Sequence, residues 1–150
     1  MEVGKMRRFF FISTFEYAKD NEIGHLNLGI FSSKSKADEK IRILRNKKGF
    51  KEFDQTAFKI IKFGVEIDRD NLKKESMNLY SVWLEYLDED NVSNYVIFDY
   101  FSTYKKAKAM IVYYRKHTRI GKKHPEKFEI SKIKVNDFKS WSEGFERYSF

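Results

Sequence analysis

Two short runs of carboxylates are the residues in this chain whose types and spacing could support chemistry. Asp88-Glu89-Asp90 form one run, and Glu66, Asp68 and Asp70 form the other. Carboxylates this close together could hold a divalent cation, but the first run lacks the glycine and the later glutamate of a calcium-binding loop. No lysine follows a carboxylate pair at the spacing of a metal-dependent nuclease. Because Asp is an ordinary turn residue, both runs are interpreted as solvated turn charges.

The three histidines indicate no further chemistry. His25, His117 and His124 have no partner at i+4 spacing, and the chain has no Cys, so neither a zinc site nor a thiol nucleophile is indicated. The seven glycines are scattered rather than grouped in a phosphate-binding loop. The sequence therefore predicts a protein that is not an enzyme and that uses no metal and no cofactor.

Basic residues gather near the ends of both predicted helices. The two groups are Arg42, Arg45, Lys47, Lys48 and Lys51, and Arg115, Lys116, Arg119, Lys122 and Lys123. Cations near a helix C-terminus are favoured by the helix dipole and keep a surface soluble, which would explain them without a ligand. They could also contact an anionic partner or nucleic acid, in keeping with a formal net charge of +8. Arg115, Lys116 and Arg119 are the members assigned to a binding face.

The segment Trp141–Phe145 near the end of the chain has two interpretations. Its aromatic residues could pack over the open end of a sheet as a hydrophobic clasp, since large aromatics dominate core burial. Alternatively, Trp141 and Glu143 could belong to a binding face, because Trp and Tyr are favoured at the energetic centres of interfaces. Both interpretations stay open at this point.

The elements that position these residues occur twice in the chain. The matching positions are Phe15 to Tyr17 with Leu84 to Tyr86 at an offset of 69, and, at an offset of 70, Phe31 to Ser33 with Phe101 to Thr103, Ala37 with Ala107, Ile41 with Ile111, and Phe58 to Ile60 with Phe128 to Ile130. The hydroxyls of Ser32-Ser33 and Ser102-Thr103 stand just before apolar residues at helical spacing, so each pair is predicted to start a helix.

Three strands are expected around each helix. Their predicted ranges are 8–17, 26–31 and 57–67 in the first half, and 79–87, 95–101 and 127–135 in the second half. If the second strand, the helix and the third strand form a right-handed crossover with the first strand between them, each sheet has the order 2-1-3.

The predicted fold class is therefore α+β, with two pseudo-symmetric β-β-α-β modules whose antiparallel or mixed sheets are each covered by one helix. The modules span 1–72 and 73–150, the second with the C-terminal aromatic tail. Each would be marginally stable alone, so one compact unit is expected.

Composition bears on location more than on function. An absence of Cys fits a reducing compartment, and the apolar run 9–12 is too short for a signal peptide or a membrane span. A cytoplasmic protein without a membrane partner is expected. The lysine excess can also arise from genome composition, so charge alone does not identify a ligand.

The assembled motifs resemble a widespread, mostly uncharacterised bacterial small-domain family that closes on Trp-Ser/Thr-Glu-Gly-Phe. The residues that carry the resemblance are Glu16-Tyr17, 29–33, Gly49-Phe50 and 58–60 in the first copy, and Glu85-Tyr86, 101–103, 128–130 and 141–145 in the second. The first copy lacks the Trp-containing close, and the second has Arg119-Ile120-Gly121 where Gly-Phe is expected.

Small proteins of this family are similar to immunity proteins of toxin–antitoxin and contact-dependent inhibition systems. The resemblance implies binding and neutralisation of a cognate bacterial toxin. A monomer or weak homodimer is expected. Inhibitors of nucleases often present acidic surfaces, whereas this chain is basic. Either its toxin is acidic, or a locally acidic face such as Glu85, Asp88, Glu89 and Asp90 makes the contact. Nucleic-acid binding by the basic groups at the helix ends is the alternative.

Overall fold

The computed structural model describes residues 5–19 and 22–145. The strands are β1 Lys5–Lys19, β2 Glu22–Phe31, β3 Phe58–Asp68, β4 Asn78–Leu87, β5 Ser93–Phe101 and β6 Glu129–Lys134. The α-helices are α1 Lys34–Leu44, α2 Tyr104–His117 and α3 Arg119–Lys123, and short 3-10 turns lie at Phe50–Glu52, Gln55–Ala57 and Arg69–Asn71.

The strands form two three-stranded antiparallel sheets with the orders β2-β1-β3 and β5-β4-β6. Each sheet has its helix from the same half of the chain beside it. The predicted α+β class with two β-β-α-β modules is confirmed, as is the order in which the first strand of each module lies between the other two.

The described residues divide into two compact units. The first unit contains 8–64 and 134–145, and the second contains 5–7 and 65–133. The unit boundaries therefore do not follow the midpoint of the sequence, because the chain after β6 packs with the first copy of the module. Each unit is described by itself below.

The two copies share an irregularity of the sheet as well as their topology. The pairing of β1 with β2 shifts register between Ser13 and Thr14, which leaves Leu28 as the extra residue on β2. The pairing of β4 with β5 shifts between Val82 and Trp83, which leaves Phe98 as the extra residue on β5. Ser13 and Val82 differ by 69 positions, and Leu28 and Phe98 differ by 70, which are the two offsets of the sequence repeat. The bulge is therefore part of the duplicated frame, the backbone plan that both copies share.

Each helix starts where its hydroxyl pair predicted. The Ser33 hydroxyl accepts a hydrogen bond from the Lys36 N–H at 3.2 Å, and the Thr103 hydroxyl accepts one from the Lys106 N–H at 3.1 Å. Such caps satisfy amides that have no partner inside the helix and contribute about 1 kcal/mol each. The predicted helix starts are confirmed.

The second unit contains one helix that the sequence did not predict. Thr118 ends α2, and its hydroxyl accepts a hydrogen bond from the Gly121 N–H at 2.9 Å. This second cap starts α3 at Arg119. The basic residues after α2 therefore lie on a short helix rather than in a loop.

Aromatic residues dominate the core of the first unit. Phe15, Leu28, Leu44 and Phe50 are fully buried there. The Phe15 ring contacts five aromatic rings, those of Tyr17, Phe50, Phe53, Phe58 and Phe145. Burial of one such side chain contributes about 1.5–3 kcal/mol, so this cluster sets the relative positions of β1, α1 and β3.

The core of the second unit matches that of the first only in part, since Phe98, Tyr114 and Phe128 correspond to Leu28, Leu44 and Phe58. Val82, Ala107 and Ile111 form a buried cluster in this unit, and Phe98, Tyr114 and Phe128 pack around it. Because Val82 faces α2, the residue that follows it on β4 faces away from the helix. This alternation places the side chains of the candidate site.

Candidate binding surfaces

The β4–β5 hairpin is an acidic segment on a basic chain. Lys and Arg make up 30 of 150 residues, yet neither occurs between Lys74 and Lys105. The hairpin carries the carboxylates of Glu85, Asp88, Glu89, Asp90 and Asp99. Its charge is therefore opposite in sign to the net charge of the whole chain. The gap between Lys74 and Lys105 in the positions of Lys and Arg is the sequence signal that reveals this difference.

Asp88 organises the loop at the end of this hairpin. Its carboxylate accepts hydrogen bonds from the Asp90 N–H at 2.9 Å, the Val92 N–H at 2.9 Å and the Asn94 side-chain amide at 3.0 Å. The bond from the Val92 backbone, followed by that from Asn94, lowers the pKa of Asp88 below its ordinary value. Asp88 therefore holds the loop, while Glu89 and Asp90 are exposed on it.

A stacked aromatic pair lies on the face of the second sheet that points away from α2. The rings of Trp83 and Tyr95 are 4.8 Å apart and nearly parallel, at 27°. Trp83 Nε1 donates a hydrogen bond to Ser131 Oγ at 2.8 Å, which fixes the ring against β6. Tyr95 is 56% exposed, so the pair presents a rigid aromatic surface to solvent.

Glu85 extends this surface toward the loop. It pairs with Tyr95 across β4 and β5, and directly paired residues share a face of the sheet. Ser93 Oγ donates to Glu85 Oε1 at 2.6 Å, which fixes the carboxylate. Burial and the nearby charge of Glu85 raise the pKa of Tyr95. We call Trp83, Glu85, Glu89, Asp90 and Tyr95 the acidic aromatic face.

The basic residues assigned to a binding face differ in how far the fold engages them. Arg115 Nε donates to the Pro125 carbonyl at 2.7 Å, and its guanidinium lies 5.9 Å from the centroid of the Phe128 ring. It therefore joins α2 to the start of β6. Lys116 in the last turn of α2 and Arg119 at the start of α3 are exposed, and both belong to the same unit as the acidic aromatic face.

Trp141 and Glu143 belong to the first unit, whereas the other predicted site residues belong to the second. Trp141 Nε1 donates to the Asn27 carbonyl at 3.0 Å, and its ring meets Phe50 edge-on at 6.5 Å. These contacts match the interpretation of the segment as a hydrophobic clasp. Glu143 is exposed beside it.

Backbone contacts attach the tail, residues 135–145, along its length. The Asn136 N–H donates to the Ile30 carbonyl at 2.8 Å, and its side-chain oxygen accepts from the Ser32 N–H at 2.9 Å. Farther along, the Phe145 N–H donates to the Lys48 carbonyl at 2.9 Å. A tail that the sequence grouped with the second module thus completes the first unit.

Lys40 is a buried cation that sequence reasoning missed. Its side chain is fully buried, and its Nζ donates to the carbonyls of Phe138, at 3.0 Å, and Ser140. Burial lowers the pKa of Lys40, and the nearby charge of Asp137 opposes that shift. One pattern could have revealed it: Lys40 lies on the apolar stripe of α1 and matches Met110 in the second copy.

The histidines serve packing and local hydrogen bonding. His25 contacts Glu16 Oε1 and Asn27 Oδ1, each at 3.2 Å, while the rings of His117 and His124 stack on Tyr113 and Tyr86. Within residues 5–19 and 22–145, no three His, Asp or Glu side chains form a group that could hold a metal ion. In the same part of the chain, no helix is long and apolar enough to cross a membrane.

Comparison of the chain with models of protein families, with curated proteins and with solved structures found no match.

Proposed function

We propose that this chain is a cytoplasmic immunity-type protein that binds a cognate bacterial toxin domain and neutralises it by occlusion. The observation that carries the proposal is the acidic aromatic face, a fixed aromatic pair bordered by carboxylates on a chain that is otherwise basic. The partner surface it fits is cationic and contains an apolar recess. The cleft by which a nuclease toxin holds nucleic acid has that chemistry.

The parts of the face have separate roles in binding. Exposed carboxylates at Glu89 and Asp90 accelerate encounter with a cationic partner and exclude partners of the same sign. The Trp83–Tyr95 pair supplies large contact area at a small entropic cost, because neighbouring groups already fix Trp83 and Glu85. Occlusion follows because a protein seated in the cleft excludes the nucleic acid, and no bond needs to be made or broken.

Charge reversal on the face tests the proposal. The double variant Glu89→Lys with Asp90→Lys is compared with Asp68→Lys with Asp70→Lys, which makes the same change in net charge at exposed carboxylates elsewhere. Binding to the toxin encoded by the neighbouring gene is measured by calorimetry, and protection by survival of cells that express the toxin. We expect the first variant to lose binding by about tenfold or more and to lose protection, and the second to retain both.

Tyr95→Ala is a second probe of the same face. Because its ring is exposed, its removal should weaken binding by about 1–2 kcal/mol while the fold is retained. Full protection by both face variants, or equal loss in the Asp68 and Asp70 control, would be incompatible with the proposal.

Nucleic-acid binding is the second candidate function. The exposed cations Lys116, Arg119, Lys122 and Lys123 at the α2–α3 junction favour it. A salt titration of binding to a labelled oligonucleotide decides this candidate, since phosphate contacts require affinity to fall steeply with salt concentration.

A further inference from the structure

A groove in the first unit separates α1 from β3. It encloses about 860 Å³ and is open to solvent. One wall is formed by Lys34, Ser35, Asp38, Ile41 and Arg42 of α1 and by Arg45, which caps the helix. The other wall is formed by Gln55 and by Phe58, Lys59 and Ile60 of β3. The groove thus combines an apolar lining of Ile41, Phe58 and Ile60 with a charged helix wall.

The helix wall is cationic. The wall carries three cations, Lys34, Arg42 and Arg45, and one carboxylate, that of Asp38. In the described part of the chain, no acceptor pairs with any of the three cationic side chains. The helix dipole does not explain Lys34, which lies in the first turn of α1, where an anion is favoured. Lys59 adds no charge to this count, because its Nζ lies 3.6 Å from Glu16 Oε2.

The second copy of the module is an internal control for this groove. At the offset of 70, Arg42 corresponds to Val112, and Arg45 corresponds to Arg115. Arg115 is held by the Pro125 carbonyl, whereas Arg45 has no such partner in the described chain. The duplicated frame therefore does not require free cations at these positions, and the first copy carries them in addition.

The opposite wall of the groove, formed by β3, distinguishes between an acidic peptide and a nucleic acid as the anionic ligand. β3 lies at the edge of its sheet, and Thr14 Oγ1 donates to the Lys59 carbonyl at 3.5 Å. The Lys59 carbonyl therefore points toward β1. Because the backbone N–H and C=O groups of successive residues in a strand point to alternate sides, those of Ile60 point toward the open edge of the sheet. An extended peptide can pair with such backbone groups, whereas a nucleic-acid strand cannot form that ladder.

We propose that the groove between α1 and β3 binds an extended acidic peptide segment of a partner protein, which adds a strand to β3. Lys34 and Arg45 are about 16 Å apart along the helix axis, which matches about five residues of extended chain. Carboxylates of the peptide meet the cations of α1, and its apolar residues contact Ile41 and Ile60. This site lies in a different unit from the acidic aromatic face, takes a ligand of opposite charge, and does not depend on the toxin-binding proposal.

Peptide selection on the whole protein tests this inference. A phage library of random peptides of about seven residues is selected against the wild-type protein. We expect enrichment of sequences in which Asp or Glu alternates with apolar residues. A fluorescein-labelled copy of an enriched peptide should bind about tenfold or more weakly to Arg42→Val and to Arg45→Ala, the loss of one charge-assisted hydrogen bond. Lys105→Ala, which removes an exposed cation of α2, is the matched control and should bind as the wild type does.

Backbone pairing is tested separately from charge. Methylation of alternate peptide nitrogens, those that would pair with β3, should abolish binding, while methylation of the intervening nitrogens should not. The inference is overturned if the enriched peptides show no acidic excess, if Arg42→Val and Arg45→Ala bind them like the wild type, or if both methylation patterns act alike. It is also overturned if a labelled oligo(dT) binds the wild type, is lost in Arg42→Val, and no peptide is enriched.

Discussion

Replacement of Lys40 by Met should release the C-terminal tail from the first unit. Methionine is the residue at the matching position of the second copy, Met110, so the change keeps the helix and its apolar stripe. It removes the two hydrogen bonds that Lys40 Nζ donates to the carbonyls of Phe138 and Ser140.

The magnitude follows from two opposing effects. A hydrogen bond from a charged donor contributes about 1.5–3 kcal/mol, and two are lost. Relief of the desolvation of the Lys40 ammonium offsets roughly half of that loss. We therefore expect the free energy of unfolding to fall by about 2 kcal/mol at pH 7, measured by urea denaturation. Lys108→Met, an exposed lysine of α2, should change it by less than about 0.5 kcal/mol.

The pH dependence of this difference has a defined sign. Burial lowers the pKa of Lys40 in the folded protein below the value of 10.5 that it has when unfolded. Between the lowered value and 10.5 the unfolded chain binds more protons, so this group makes folding more favourable as pH rises. The difference in free energy of unfolding between the wild type and Lys40→Met should therefore increase at alkaline pH. The other titratable groups are the same in both proteins, so their contributions cancel in this difference.

Hydrogen exchange at the Trp141 indole locates the effect. Its Nε1–H donates to the Asn27 carbonyl, so exchange should accelerate in Lys40→Met if the tail loosens. A variant as stable as the wild type at pH 7, with a gap that does not widen with pH and with unchanged exchange at Trp141, would refute the reasoning.

Two further predictions concern backbone positions. Gly144→Ala should destabilise the first unit by more than about 2 kcal/mol, measured by urea denaturation. The reason is that Gly144 has φ +77° and that a Cβ there would collide with the Lys48 carbonyl. A loss of stability below about 0.5 kcal/mol would contradict this prediction. Asp88→Ala should accelerate hydrogen exchange at the Val92 amide, which donates to the Asp88 carboxylate. Because the pKa of Asp88 is lowered, the loop of the wild type should loosen only when the pH falls below the ordinary range of Asp. Unchanged exchange at Val92 in the variant would contradict the role assigned to Asp88.

The sequence was sufficient for the elements whose cause is local. Ser33 and Thr103 start their helices because a hydroxyl must stand beside free amides, and that requirement is visible within four residues of chain. Strand ends were less accurate: β2 begins at Glu22 rather than Leu26. Backbone pairing in the hairpin continues past the last buried side chain, so apolar alternation ends before the strand does.

The candidate site was predictable only in part, for a physical reason. The exposure of Glu85 and the loop carboxylates was predictable, because charges in a hairpin are exposed by default. The attachment of Trp141 to Asn27 spans 114 residues, and no local pattern encodes a contact of that separation. Lys40 was missed because lysine is almost never fully buried, so its type argued against its actual position.

The charge pattern of the duplicated module favours two separate binding surfaces. Positions that hold the frame, such as Ala37 and Ala107, are the same in both copies, because the helix must approach the sheet closely there. Other positions of the helix differ between the copies, as Arg42 and Val112 do. β4 and β5 contain no Lys or Arg, although these residues make up 30 of the 150 in the chain. If the two proposed surfaces bind separate partners, charge reversal at one surface should leave binding at the other unchanged.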